Sequence, residues 1–179
     1  MNSKQFILET ERLRLRELMM EDVDNLQSIF SDPEAMRYYP STFDVERTQQ
    51  WIQWNLDSYQ ANGYGLWAME DKHTGRFVGE CGITIQNVEG TAEDEIGYHV
   101  LKKHWNKGYA SEAAQACRDH AFTQLGKERL ISWMIPDNLP SRRVAEKIGM
   151  SLEKEVVNNR GTASVVYAIH KADWLQLKG

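Results

Sequence analysis

Residues 94–114, DEIGYHVLKKHWNKGYASEAA, constrain this chain more than any other stretch, because they join a strand, a glycine turn and a helix that starts on small residues. Gly108 lets the backbone bend where a Cβ would clash, and Ala110 and Ser111 keep the first helical turn open. The N–H groups of a helix's first turn have no partner inside the helix, and that end of the dipole is positive. Such a turn is therefore a cradle for an anion, above all a phosphate. Many helices begin after a glycine, so the turn becomes a site only if the surrounding architecture supports it.

The flanking patterns supply that architecture. Residues 11–18 alternate with period two, which points Leu13, Leu15 and Leu18 inward, Arg12, Arg14 and Arg16 outward, and predicts a first strand. Residues 21–30 carry Val23, Leu26, Ile29 and Phe30 at helical spacing and stop before Asp32-Pro33. A second helix follows Ser41-Thr42, carries Trp51, Ile52, Trp54, Leu56 and Tyr59, and ends at Asn62-Gly63. The period then returns to two. Strands over 66–71 and 77–85 flank the turn Lys72-His73-Thr74-Gly75, and a third covers 95–101. A long helix over 108–125 has Ala110, Ala113, Ala114, Cys117, Ala121 and Phe122 on its inner side and closes at Gly126. A strand over 130–135, a short helix over 141–148 stopped by Gly149, and a hairpin over 150–169 turning at residues 158–161 complete the chain.

The order β-α-α-β-β-β-α-β-α-β-β combines an antiparallel meander with one βαβ crossover. A right-handed crossover makes the strands ending near Leu101 and starting near Leu130 parallel neighbours. That places the glycine turn at the carboxyl end of the first strand, where open α/β sheets bind ligands.

Composition sets the outer bounds. A chain of 179 residues with 41% hydrophobic content fits one domain over 1–179, with neither a repeat nor a low-complexity linker. The formal charge of −5 argues against a nucleic-acid partner. Cys81, Cys117 and the five scattered histidines have no metal-ligand spacing, so no metal is expected. No apolar run approaches the roughly 20 residues that cross a bilayer, and the start has no leader-type apolar region. A soluble cytoplasmic protein with reduced thiols, acting away from membranes, is the expectation.

Three motifs carry a resemblance. Trp105-Asn106-Lys107-Gly108-Tyr109-Ala110 is followed by Ser-Glu-Ala; residues 136–150 read PDNLPSRRVAEKIGM; residues 11–16 read ERLRLR. Together they resemble the GNAT superfamily of N-acetyltransferases, and within it the RimJ/RimL-type branch typified by ribosomal-protein-alanine acetyltransferases. The resemblance implies an α/β (α+β) fold, with a mixed, mostly antiparallel central sheet splayed between two parallel strands and flanked by helices. It implies acetyl-CoA as cosubstrate and direct acetyl transfer to a primary amine, such as a protein or peptide N-terminal α-amine. A small amine (antibiotic, polyamine or amino acid) is the alternative acceptor, and a non-catalytic acyl-CoA sensor domain is the alternative role. A homodimer formed through the C-terminal hairpin or a sheet edge fits the same picture.

The resemblance also implies site residues. Main-chain groups around Tyr98, His99 and Val100 would hold the pantetheine and thioester carbonyl. Residues 106–111 (Asn106, Lys107, Gly108, Tyr109, Ala110 and Ser111) would hold the pyrophosphate, with Trp105 at the motif's first position, where the general pattern has Gln or Arg. Many members place a tyrosine at the position of Ala145 to assist the leaving thiolate. Here Ser141 is the substitute within the motif, unless it only caps its helix. Asn138 would touch the pantetheine amides or make an Asx turn, or both. Arg143 or its neighbour Arg142 would meet the CoA phosphates, whereas Lys102, Lys103 and His104 are as readily solvated turn residues. Glu80 and Glu95, with His99, are the candidate bases, and alternation does not say which of them faces the cleft. Tyr38, Trp51 and Trp54, with Tyr39, form either an acceptor wall or core. An α-amine with pKa about 7.7–8.0 is roughly 10–20% neutral at pH 7, against fewer than about one lysine-type amine per thousand, so a weak base suits an α-amine better.

Overall fold

The computed structural model describes residues 5–179; Met1–Lys4, part of the start read as lacking a leader, lie outside the described residues. The elements run β1 (Phe6–Glu9), β2 (Leu13–Glu17), α1 (Val23–Phe30), α2 (Val45–Asn62), β3 (Leu66–Asp71), β4 (Phe77–Val88), β5 (Thr91–Val100), α3 (Tyr109–Thr123), β6 (Arg129–Met134), α4 (Leu139–Lys147), β7 (Ser151–Val157), β8 (Ala163–His170) and α5 (Lys171–Leu177). The eight strands form one sheet in the order β1-β2-β3-β4-β5-β6-β8-β7. Every neighbouring pair is antiparallel except β5 with β6, the two strands joined by the α3 crossover. The fold class implied by the resemblance is therefore the observed one.

The parallel pair is the mechanical heart of the molecule. β5 and β6 are in register at a single pair, Glu95 with Ile131, and beyond it they part. The Ser132 hydroxyl donates to the Ile96 carbonyl at 2.9 Å and closes the apex of the wedge. Two packed layers hold the halves in place. On one face Ala113, Ala114, Cys117 and Ala121 are fully buried, and their small side chains let α3 lie close over Leu13, Met69, Cys81 and Ile83. On the other, Leu26, Ile29 and Phe30 of α1 and Ile52 of α2 pack over Leu18, Leu66 and Ala68. Each such buried Leu, Ile or Phe contributes about 1.5–3 kcal/mol. α2 is closed as the sequence requires: Asp44 accepts from the Arg47 N–H at 2.8 Å, and Gly63 takes the left-handed conformation at φ +80°.

Several boundaries differ from those expected. β1 and α5 are additional elements. The β4–β5 hairpin extends to Val88 and Thr91 through a two-residue turn in which Glu89 and Gly90 both have positive φ. α4 starts at Leu139 because Asn138 caps it, accepting from the Ser141 N–H at 3.2 Å, so Ser141 stands in the first turn and is not the cap. Arg16, expected to face solvent, is buried. Its strand lies inside the sheet with α1 packed beyond its end, and its guanidinium bonds both Asp22 oxygens at 2.8 and 2.9 Å and Glu70 at 2.7 Å. Among the described residues, no helix is long and apolar enough to cross a membrane.

Candidate active site

The α3 N-terminus has the form of an anion site. Gly108 is its N-cap at φ +80°, and no side chain caps the helix. Asn106 is also left-handed at φ +58°, which turns the loop into the helix. A side chain outside this segment holds the turn. Arg12 donates from Nη1 to the Lys107 carbonyl at 2.8 Å and from Nε to Glu112 at 2.7 Å, and its guanidinium lies 4.4 Å from the Tyr109 ring centre. Glu112 also accepts from the Thr10 hydroxyl at 2.6 Å and the Arg12 N–H at 2.9 Å. These bonds join the residue 11–16 motif, with Thr10 beside it, to the α3 motif. The Trp105 indole pins the other side of the loop by donating to the Val100 carbonyl at 2.8 Å. Ala110 and Ser111, in the first turn of α3, are half-buried. Lys102 pairs with Glu34, Lys103 accepts at its carbonyl from Lys107, and His104 packs edge-on against Tyr109.

The splay of β5 and β6 continues the anion site into a groove. Leu101 N–H bonds Val78, and with the β4–β5 register this directs His99 main-chain groups at β4 and those of Tyr98 and Val100 at the opened β6 side. His99 thus departs from the main-chain donor role expected of it. The Tyr98 side chain crosses toward α4, where its hydroxyl lies 2.9 Å from the Ser141 carbonyl and 2.8 Å from the Ser141 hydroxyl. Burial pushes the Tyr98 phenol above its ordinary pKa, and the Ser141 bond acts in the opposite sense. Ala145 is fully buried and brings no hydroxyl. Arg142 is engaged by the Tyr167 hydroxyl and the Pro136 carbonyl, both at 3.0 Å, while Arg143 is exposed on α4. An uncapped helix start, a wedge with unpaired strand edge and a hydroxyl pair beyond it fit a long anionic thioester such as acetyl-CoA. Among the described residues, no group of three or more His, Cys, Asp or Glu is placed to hold a metal ion.

On the opposite face, the wedge opens into a cavity of about 370 Å³ walled by Phe30, Tyr38, Tyr39, Trp51 and Trp133. Glu95 lines it at the apex. Burial pushes the Glu95 carboxyl up to about 8, even though the Trp133 N–H and the Thr84 hydroxyl hydrogen-bond to it. Glu80 does not line the cavity. It is fully buried, accepting from Trp51 Nε1 at 3.0 Å and facing its cross-strand partner His99 at Nδ1, 2.9 Å away. His99 Nε2 is 2.8 Å from the Tyr39 hydroxyl, so Glu80, His99 and Tyr39 form one chain ending in the cavity. The Tyr39 ring is 41% exposed but its hydroxyl is turned inward; desolvation there, with Glu95 and Glu80 nearby, holds the phenol above its usual pKa. Tyr38 lines the cavity with Arg37 stacked on it. Trp54, expected at the acceptor wall, packs on Trp51 and stays on the outer side of α2.

The arrangement brings together an anion cradle, an open strand edge, a hydroxyl pair and a carboxylate of raised pKa. Three contributions escape the sequence reading: the bracing role of Arg12 within its motif, the Tyr98 hydroxyl and the Tyr39 hydroxyl. For Tyr98 the alternation of β5, which sends it to one face and Glu95 and His99 to the other, carried a signal; for Arg12 and Tyr39 nothing local did.

Similarity to known proteins identifies the family. The family model described as an acetyltransferase (GNAT) domain matches residues 12–151. YkkB of Bacillus subtilis is 42% identical over 159 residues, covering 87% of this chain and 91% of that protein. The crystal structure of an acetyltransferase from Agrobacterium tumefaciens superposes with a TM-score of 0.81 at 31% identity, over 94% of this chain and 95% of that one. The ribosomal L7/L12 alpha-N-protein acetyltransferase RimL, solved in complex with coenzyme A, aligns over 93% of this chain and 98% of its own, with a TM-score of 0.73 and 20% identity, a likeness of fold. The opened β5–β6 pair, the uncapped α3 and these matches place the chain in the GNAT family of N-acetyltransferases.

Proposed function

We propose that this N-acetyltransferase passes an acetyl group directly from acetyl-CoA to an α-amine, with Glu95 as the base. The observation that carries this reading is the position of Glu95, at the point where the parted strands open into the acceptor cavity, with a carboxyl pushed up to about 8. An α-amine of pKa about 7.7–8.0 matches that proton affinity, whereas a lysine-type amine near 10.4 gives up its proton less readily. RimL, an alpha-N-protein acetyltransferase, shares the fold and is in keeping with the same acceptor class.

In this reading Gly108 and the N–H groups of residues 106–111 hold the pyrophosphate, and Tyr98 and Val100 main-chain N–H groups hold the acetyl carbonyl oxygen. The amine nitrogen bonds the acetyl carbon, Glu95 takes the proton it loses, and the carbon–sulfur bond breaks. Ser141, oriented by Tyr98, donates a hydrogen bond to the departing sulfur. A thiolate like that of free cysteine, pKa about 8.5, is a modest base, so a hydroxyl in place of the motif tyrosine is sufficient. Asn138 spends its carbonyl on the α4 cap and offers its amide NH₂ to the pantetheine. Arg143 is the arginine left exposed for a CoA phosphate. Tyr38 and Trp51 shape the acceptor wall. Neither cysteine takes part, since both are buried in the core.

The test is free-thiol release from acetyl-CoA across a panel of amines, with the acetylated product identified by mass. Release that requires an α-amine and yields its N-acetyl form is expected. Binding of acetyl-CoA with no release from any amine would favour a sensor domain instead.

A further inference from the structure

The charges around the acceptor cavity are segregated by depth. Glu95 lies at the inner end, with His99 in the wall and its partner Glu80 just behind it. The mouth is flanked by two exposed arginines from unrelated elements: Arg47 on the first turn of α2, and Arg160 in the β7–β8 loop. Arg12, Arg14, Arg16, Arg118 and Arg129 are all in ion pairs. Among the described residues Arg37, Arg47, Arg76, Arg142, Arg143 and Arg160 are in no ion pair, and of these Arg47 and Arg160 line the cavity, in a chain with five more negative than positive charges. Arg47 is nevertheless held in place. Its Nη1 donates to the Ser41 hydroxyl at 3.0 Å, and its guanidinium lies 4.1 Å from the Phe43 ring centre. One hydrogen bond and one stacked face leave most of the five guanidinium N–H donors of this cavity-lining residue without a partner.

We infer that the acceptor is an α-amine whose molecule also carries an anionic group, the amine reaching Glu95 and the anion meeting Arg47 and Arg160 at the mouth. The aromatic wall between the two ends selects an apolar or aromatic body. This deepens the transferase reading and rests on it. The donor's phosphates do not account for these arginines, because the donor cradle is at the α3 N-terminus on the other side of the parted strands. Carboxylate recognition by arginine forks is charge-assisted and directional, so the anion fixes how the amine is presented as well as adding affinity. The anion has two sources: the α-carboxylate of a free amino acid, or acidic residues following the N-terminus of a peptide.

Two matched pairs distinguish the sources: L-phenylalanine against L-phenylalanine amide, and the peptide Phe-Asp-Asp-amide against Phe-Asn-Asn-amide. Each is assayed by thiol release and by calorimetric binding to the CoA-loaded protein. The anionic member of at least one pair is expected to exceed its neutral partner by about 10-fold in kcat/KM and in affinity, as one charge-assisted contact allows. In Arg47→Gln/Arg160→Gln the ratio is expected to fall toward one. Preference confined to the first pair assigns an amino acid, and preference confined to the second assigns an acidic peptide N-terminus. Equal affinities within both pairs, or a preference that survives in the double variant, would overturn the inference. Calorimetry keeps the two readings apart, because a binding preference without thiol release defeats the transferase reading and leaves anion selection standing.

Discussion

Glu95 is the side chain whose surroundings most change its chemistry. Burial raises its carboxyl from 4.5 to about 8, so the base form, and with it activity, should appear as pH rises through about 8. An acceptor amine of pKa below about 5 is neutral throughout the working range, so an inflection near 8 measured with it belongs to the enzyme. Glu95→Gln should lower kcat by about 10²–10⁴-fold and abolish that inflection. The same shift has a stability cost. A carboxyl raised in the folded state adds stability that is fully present below its unfolded pKa of about 4.5 and is lost as pH rises through about 8. Wild type should therefore lose stability relative to Glu95→Gln across that window in thermal melts. Tyr98 and Ser141 are expected to act as a unit: Tyr98→Phe and Ser141→Ala should each reduce kcat with acetyl-CoA affinity little changed, and the double variant should lose less than the product of the two effects. Independent effects, or a loss confined to affinity, would count against the pairing. The places of Gly108 at the start of α3 and Ser141 on α4 were legible in the sequence because their spacing to neighbouring motif residues is local. The separate fates of Glu80, Glu95 and His99 were not, because they depend on the cross-strand register and on which face α1 and α2 cover.

The start of α3 shows how an element is positioned by another far away in the chain. Glu112 places a negative charge in the first turn of the helix whose N-terminus is proposed to receive the donor's pyrophosphate. Arg12 offsets that charge and also fixes the loop through the Lys107 carbonyl. Arg12→Gln should weaken acetyl-CoA binding by about 10-fold, equivalent to roughly 1.4 kcal/mol. Adding Glu112→Gln should restore part of the loss if the effect is electrostatic, as read by calorimetry. A further loss would make Arg12 only a structural strut. The elements on either side of this link were legible because their hydrophobic periods are strong. β1, α5 and the tip of the β4–β5 hairpin were not. They lie at a sheet edge, at the chain end and in the polar run 86–94, where exposure on both sides removes the alternation that marks a half-buried strand.

At the scale of the whole molecule, one sheet must hold its halves together while opening between β5 and β6. The β1–β5 half is braced internally by the buried cluster of Arg16, Asp22 and Glu70, in which the ends of β2, β3 and the turn into α1 meet. Burial alone would raise the Asp22 carboxyl, but the Arg16 bonds and the Met19 N–H hold it below its usual value, so its contribution is present above about pH 3.8 and fades in acid. Replacing Arg16 by Leu takes the guanidinium from buried Asp22, removes one of two from Glu70, and should cost about 3–5 kcal/mol in urea unfolding. The opened strand pair is the feature on which the functional account turns, and it can be tested without altering the protein. Hydrogen exchange read by mass spectrometry, with and without acetyl-CoA, should show slowed exchange in residues 98–112 and around Asn138–Ser141, and unchanged exchange in α5. Unchanged exchange across 98–112, with protection appearing elsewhere, would contradict a donor site between β5 and β6.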